Sequence, residues 1–283
     1  MPTDNSMEQA FSRRHRPVEG FDRRAAMNTA WQILQAILVF FVIGWAIWRG
    51  AEAMNYSWQW YRIEPFFYRE FQGEYYLGPL PQGLIETLRL AGTAGIFTII
   101  IGFLTAFARM SDSIAARVLS KIYLEAIRNT PLLVQLFLFY FVLAPILGID
   151  RFWAGVLTLA FFEGSFAAEI IRGGIQGVGK GQYEAADAIG MRTVDKYRYI
   201  VVPQALPLIL PPLTGLIISL IKHSAIVSVI AVSELTTAGL NLISETFMAF
   251  EIWFLVAGMY LALTVTLSIG VSLFERSLQK GRN

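Results

Sequence analysis

Seven ionisable residues stand within or beside long apolar stretches of this chain: Glu125, Arg128, Glu163, Glu169, Lys222, His223 and Glu234. A charge near the centre of a bilayer costs about 2.5 to 3.5 kcal/mol even on the lenient insertion scale, so residues at that depth must face protein or a wet cavity. Gly215, Ser219 and Lys222 or His223 recur at spacings of three and four, a polar stripe on an otherwise apolar helix. Such a stripe suits a pathway for a polar solute. It also suits an ion pair or hydrogen bonds that lock helices together. The chemistry is that of binding and passage, because His15 and His223 belong to no nucleophile, acid–base or HExxH arrangement. Gly174-Ile175-Gln176-Gly177-Val178-Gly179-Lys180-Gly181 approaches a phosphate loop but fails at its last position. Gly181 has no hydroxyl to ligate magnesium, and an apolar span precedes the segment where a strand is required. No nucleotide site is encoded there, so if transport is driven by ATP another chain must supply the engine.

The elements that position these residues follow from composition. Of 283 residues, 55% are hydrophobic and 16% charged, which marks a polytopic membrane protein. A net charge of +2 sets up no strong field for nucleic acid, and the absence of cysteine excludes disulfides and thiolate metal sites. With two histidines, a zinc site is not expected either. Spanning about 30 Å of hydrocarbon takes roughly 20 residues. Six runs qualify: Ala30 to Trp48, Leu84 to Ala108, Leu124 to Leu147, Phe152 to Ile171, Leu206 to Ile221 and Ile252 to Phe274. Ala225 to Val232 is too short to span and reads as part of a broken or re-entrant element. Arg13, Arg14, Arg16, Arg23 and Arg24 place the N-terminus in the cytoplasm, and six crossings return the C-terminus there. Five segments follow: a cytoplasmic tail over 1–29, a first helix over 30–48, an aromatic-rich outer segment over 49–82, a membrane domain over 83–275 and a short tail over 276–283. Tyr56, Trp58, Trp60, Tyr61, Phe66, Phe67, Tyr75 and Tyr76 make the outer segment an interfacial belt, with contact to an extracytoplasmic partner as the sharper reading.

Between two of the apolar runs lies a short polar insert, Tyr183-Glu184-Ala185-Ala186-Asp187-Ala188-Ile189-Gly190. At about 100° per residue, Ala185, Ala186, Ala188 and Ile189 share a small-residue face, with Glu184 and Asp187 on its opposite edge. Alanines offer a shallow knob for a groove on a soluble partner, although an ordinary solvated helix satisfies the same periodicity. Downstream, Pro203, Pro207, Pro211 and Pro212 each remove a backbone donor. They predict a kinked or partly extended hinge in place of a straight helix from Tyr197 to Ile221.

This insert, with Gly190 and Leu206-Pro207 downstream, resembles the EAA loop of permease subunits in binding-protein-dependent ABC importers, and more narrowly the histidine/glutamine-type polar amino acid permeases. Supporting stretches are Glu125 to Gln135, Glu169 to Gln176 and Val227 to Leu235, so the resemblance runs from about Gly83 to the C-terminus. It implies an all-α, type I importer core with one additional N-terminal membrane helix, in the bacterial cytoplasmic membrane. The implied partners are an ABC ATPase, a second permease subunit of the same or a sister chain, an extracytoplasmic amino-acid-binding protein and the lipid bilayer. ATP and magnesium would sit on the ATPase, with no cofactor in this chain. Glu184, Ala185, Ala186, Asp187 and Gly190 match the segment that inserts into the ATPase. Substrate-pathway candidates are Lys222, His223, Ser219, Glu163, Gln135 and Thr130. Relatives often carry Lys-Asp-Thr-Ser where Lys222-His223-Ser224-Ala225 stands here, and loss of that carboxylate favours a neutral or acidic substrate. Lys222 would then meet the substrate carboxylate and Glu163 its amine. An ion-coupled secondary transporter and a membrane scaffold remain alternatives, although the first should show internal repeat symmetry.

Overall fold

The computed structural model describes residues 23–54 and 56–280. Expectations for 1–22 and 281–283, most of the N-terminal tail and the end of the C-terminal one, lie outside the described residues. The chain divides into two units, Met1–Trp58 and Gln59–Asn283. The first contains α1 (Arg23–Ala53), whose apolar stretch Trp31–Gly50 is exposed on every described side. A helix that is apolar all round is suited to lipid.

The second unit opens with helical turns at Trp60–Arg62 and Glu64–Phe67, then a hairpin of β1 (Tyr68–Phe71) and β2 (Glu74–Leu77). Gln72 and Gly73, at φ 54° and 78°, form its two-residue turn, the left-handed pair that matches the twist of a hairpin. Tyr68 pairs with Leu77 and Phe71 with Glu74. Then come α2 (Pro79–Met110), α3 (Ile114–Arg128), α4 (Leu132–Leu147), α5 (Arg151–Gln176), α6 (Lys180–Ala188), α7 (Thr193–Lys196), α8 (Val202–His223), α9 (Leu235–Thr246) and α10 (Ala249–Lys280). Among the described residues, five helical stretches are long and apolar enough to cross a membrane, or up to six if the bent α3–α4 pair is one span.

Glycine and alanine set the spine. A Cβ on Gly102 of α2 would stand 2.7 Å from the Ala167 Cβ of α5, and one on Gly164 of α5 would stand 2.8 Å from Ile101. The two helices therefore run parallel in near backbone contact, the close approach that small residues permit in membranes. A Cβ on Gly174 would fall 2.2 Å from Ile209, so the first glycine of the false phosphate loop exists to seat α8 against α5. Contacts of Gly174 with Ile209 and of Gly155 with Val227 make α8 antiparallel to α5. Hence the hairpin and the start of α2 lie at one end of this unit, and Met110 and α6 at the other.

Two expectations change. The third apolar run is no single helix from Leu124 to Leu147, because α3 and α4 meet at 108°. Pro131 removes a donor and pushes Thr130 out of helical conformation. Gln135 Nε2 then donates to the freed Ile127 carbonyl at 2.7 Å and to the Thr130 carbonyl at 3.0 Å, capping the break. Conversely, the prolines do not extend the chain. Pro207, Pro211 and Pro212 lie inside α8, and the helical stretch is continuous over Thr193–Ile230, with a wide π turn at Tyr197–Val201 and a tight 3₁₀ turn at Ser224–Ile230. Extended backbone within hydrocarbon would leave many polar groups unpaired, whereas each proline in a helix frees only one carbonyl. The short Ala225 to Val232 piece is thus mostly that 3₁₀ turn. It leads through left-handed Ala231 into α9, a helix separate from the six apolar runs.

Candidate functional site

At the α6 end, the polar insert folds as a nine-residue helix with a hydrogen-bonded stop. Gly190, at φ 71°, donates to the Asp187 carbonyl at 3.0 Å, and Met191 donates to the Ala186 carbonyl at 3.0 Å. This is the Schellman pattern, which satisfies the last carbonyls of the helix. Asp187 pairs with Lys196 at 2.5 Å, tying α6 to α7. Tyr183 donates to the Ile175 carbonyl at 3.0 Å, and burial holds its phenol above the ordinary tyrosine pKa. The small-residue face is split. Ala186 is fully buried against its own chain and cannot act as a knob, while Glu184, Ala185, Ala188 and Ile189 are exposed. Ile189, 76% exposed, is the apolar tip of this end.

Within the bundle, α5 and α8 face each other across a cleft of about 420 Å³. Phe162, Phe166 and Ile170 line it from α5, and Pro212, Leu216, Ser219 and His223 from α8, each set at helical three-to-four spacing. Glu163 also lines the cleft and is only 3% exposed. Its Oε1 lies 2.5 Å from His223 Nδ1, and the His223 ring sits edge-on to Phe162. A carboxylate at that depth is stable only with a partner, and the neighbouring imidazole supplies one.

The structure therefore brings together Glu163, Ser219 and His223 and leaves the other pathway candidates outside this lining. Lys222 is exposed, with no hydrogen bond or ion pair among the described residues. One residue before His223, it lies about 100° round the helix and points away from the cleft. Thr130 and Gln135 are hydrogen-bonded to each other at 2.8 Å as part of the α3 cap. Glu169 is a locking residue: it accepts from Arg172 at 2.6 Å and from Arg109 of α2. Glu234 is another, accepting from the Thr236 and Thr237 N–H groups and from the Tyr260 hydroxyl. Sequence reasoning missed Glu251, fully buried and accepting from the Gln59 N–H at 2.6 Å. Its position at the edge of an apolar run carries no sign of the segment that covers it.

The family model for the binding-protein-dependent transport system inner membrane component matches residues 98–280. The chain belongs to that family. It is a permease subunit, and the members of this family are not themselves ATPases. Among relatives, the Escherichia coli (strain K12) glutamine transport system permease protein GlnP is 38% identical over 198 residues, covering 69% of this chain and 88% of its own length. A Bacillus subtilis (strain 168) protein named probable glutamine ABC transporter permease protein GlnM is 37% identical over 70% of this chain and 92% of its own. The crystal structure of an amino acid ABC transporter with histidines superposes with a TM-score of 0.65 at 41% identity, covering 70% of this chain and 93% of that one. Type I importer permease architecture and a multi-helix inner membrane protein are thereby established.

Proposed function

We propose that this permease carries a polar, zwitterionic amino acid, glutamine in the first instance, across the bacterial cytoplasmic membrane. Its N- and C-termini and α6 lie in the cytoplasm and the hairpin lies outside. A separate ATPase, holding ATP and magnesium, docks on Glu184, Ala185, Asp187 and the Gly190-capped end of α6, with Ala186 as the internal anchor. A second permease subunit completes the pathway, and a soluble binding protein delivers substrate to the hairpin side. The false phosphate loop, whose Gly174 serves helix packing, supports the absence of an ATP site in this chain.

The observation that carries the substrate reading is the Glu163–His223 contact in the lining of a cleft of about 420 Å³. The Glu163 carboxyl and the His223 ring are complementary hydrogen-bonding partners, and a zwitterion replaces both at once. The ammonium goes to Glu163, the carboxylate to His223, with Ser219 beside them. His223 thus takes the role expected of Lys222. The names of the relatives and this complementary pair support an amino acid substrate. ATP binding draws the docked ATPases together and moves α6 and α8 as one body, opening the cleft outward. Hydrolysis resets it.

The test is uptake of labelled glutamine by the complex reconstituted with its ATPase and binding protein. Glu163→Gln is expected to lower uptake at least tenfold while binding-protein-stimulated ATP hydrolysis persists. Undiminished uptake in both Glu163→Gln and His223→Asn sinks the cleft as substrate site. Uptake by the chain alone under an ion gradient sinks the ATP-driven reading.

A further inference from the structure

Arg128 ends α3 deep inside the membrane domain. Its Nη2 donates to the Ser165 carbonyl at 2.9 Å, and Ser165 stands near the middle of α5, which runs over Arg151–Gln176. At 1.5 Å per residue, that carbonyl is about 17 Å or more from either end of α5. Lipid phosphates are too far away to meet the guanidinium. A charge at this depth has to face protein or a wet cavity. Glu125, Asn129 and Thr130 beside it are exposed as well, so the α3–α4 bend carries a polar patch unsuited to hydrocarbon.

The guanidinium is held in place but not neutralised. It lies 5.1 Å from the centre of the Phe166 ring, a cation–π contact. Among the described residues it forms no ion pair, and only one of its five N–H donors is taken, by Ser165. The carboxylates around it are engaged elsewhere. Glu125, one turn back on α3, accepts from Asn129 Nδ2 at 3.0 Å, and Glu169 is shared by Arg109 and Arg172. Positive charge is therefore in surplus, three guanidiniums against two carboxylates. Phe166 joins this cation to the cleft, which it lines together with Glu163, three residues earlier on the same face of α5. Arg128 thus stands about 4.5 Å further along α5 toward its Gln176 end, the cytoplasmic side in the reading above.

We infer that Arg128 is a second, inward subsite, which takes the substrate carboxylate after it leaves His223. The planar fork of a guanidinium matches a carboxylate with two parallel hydrogen bonds, and the Phe166 ring and the Ser165 carbonyl fix that fork before the substrate arrives. The inference rests on the proposal that a zwitterion passes through the Glu163–His223 cleft.

The chain has no cysteine, so Arg128→Cys gives this subunit a single thiol. The complex, reconstituted with its ATPase and binding protein, is assayed for uptake of labelled glutamine before and after three methanethiosulfonate reagents. One attaches an ammonium group, one an anion and one a neutral group, and wild type treated in the same way is the control. Arg128→Cys is expected to lower uptake at least tenfold. The cationic reagent should restore uptake at least threefold, the other two should not, and saturating glutamine should slow the modification. Arg128→Lys, which keeps the charge, should retain more uptake than Arg128→Gln. Undiminished uptake in Arg128→Cys, equal rescue by the neutral reagent, or modification at one rate with and without glutamine overturns the subsite. A changed permease oligomer mass on substitution overturns it in favour of contact with a second copy. Where Arg128→Cys does not assemble, equal uptake by Arg128→Lys and Arg128→Gln overturns it. Lost uptake in Glu163→Gln beside unimpaired Arg128→Cys leaves the cleft standing without this subsite, whereas a wild type with no glutamine uptake overturns both.

Discussion

Gly190 allows a test in which the backbone term stands alone. Its φ of 71° is left-handed, and a Cβ built there meets nothing within 4 Å. Gly190→Ala therefore introduces no clash, and the whole effect is the strain of an L-residue in that region, about 1 to 2 kcal/mol. This corresponds to a roughly five- to thirty-fold loss in the equilibrium that closes the Schellman end of α6. Asparagine tolerates the conformation and should fall between alanine and glycine. Proline fixes φ near −65° and lacks the N–H that Gly190 gives to Asp187, so it should abolish the cap. Hydrogen exchange over residues 186–191 reads the cap directly, and uptake per ATP hydrolysed reads its use. The expected order of protection and of coupling is glycine, asparagine, alanine, proline. If alanine matches glycine in both measurements, the conformational argument fails. If alanine is as damaging as proline, something other than φ governs the site.

Other expectations are direct. Gly102→Val should lower the thermal midpoint in detergent through overpacking of about 1 to 3 kcal/mol, because the neighbouring Ala167 backbone carbon, 3.3 Å from the new Cβ, cannot yield. Ala167→Gly in the same chain should recover part of that loss, and an unchanged midpoint in Gly102→Val would refute the spine of α2 and α5. Glu234→Ala removes the acceptor for the Thr236 and Thr237 N–H groups at the start of α9 and should cost about 0.5 to 2 kcal/mol. Faster exchange confined to the first turn of α9 is the expected signature, and Glu234→Gln should be milder because the amide oxygen still accepts one bond.

The apolar runs were legible because hydropathy is a local property, and the polar insert was legible because four small residues at helical spacing mark a helix of unusual surface. What local pattern does not carry is which side of that surface meets the chain itself. Ala186 is buried and Ala185 exposed although they are neighbours of the same type. Pro207, Pro211 and Pro212, expected to kink or partly extend the chain, lie inside a continuous helical stretch, whereas the helix breaks at Pro131. At the α3 end, Gln135 satisfies the carbonyl that Pro131 frees. Glu163 and His223 were separable from Lys222 only by knowing which face of α8 meets α5. Glu251 lay beyond reach for a similar reason, since its partner Gln59 is 192 positions away.

The break between α3 and α4 has a consequence for synthesis. The 15 residues of α3 rise about 22 Å and α4 about 24 Å, both short of the roughly 30 Å of hydrocarbon. Neither half alone is long enough to span that distance as a straight helix. The hydroxyl of Tyr123 and the guanidinium of Arg128 find their acceptors on the Phe161 and Ser165 carbonyls, which are translated some forty residues later. These two bonds of the bent pair therefore form only after α5 has been made.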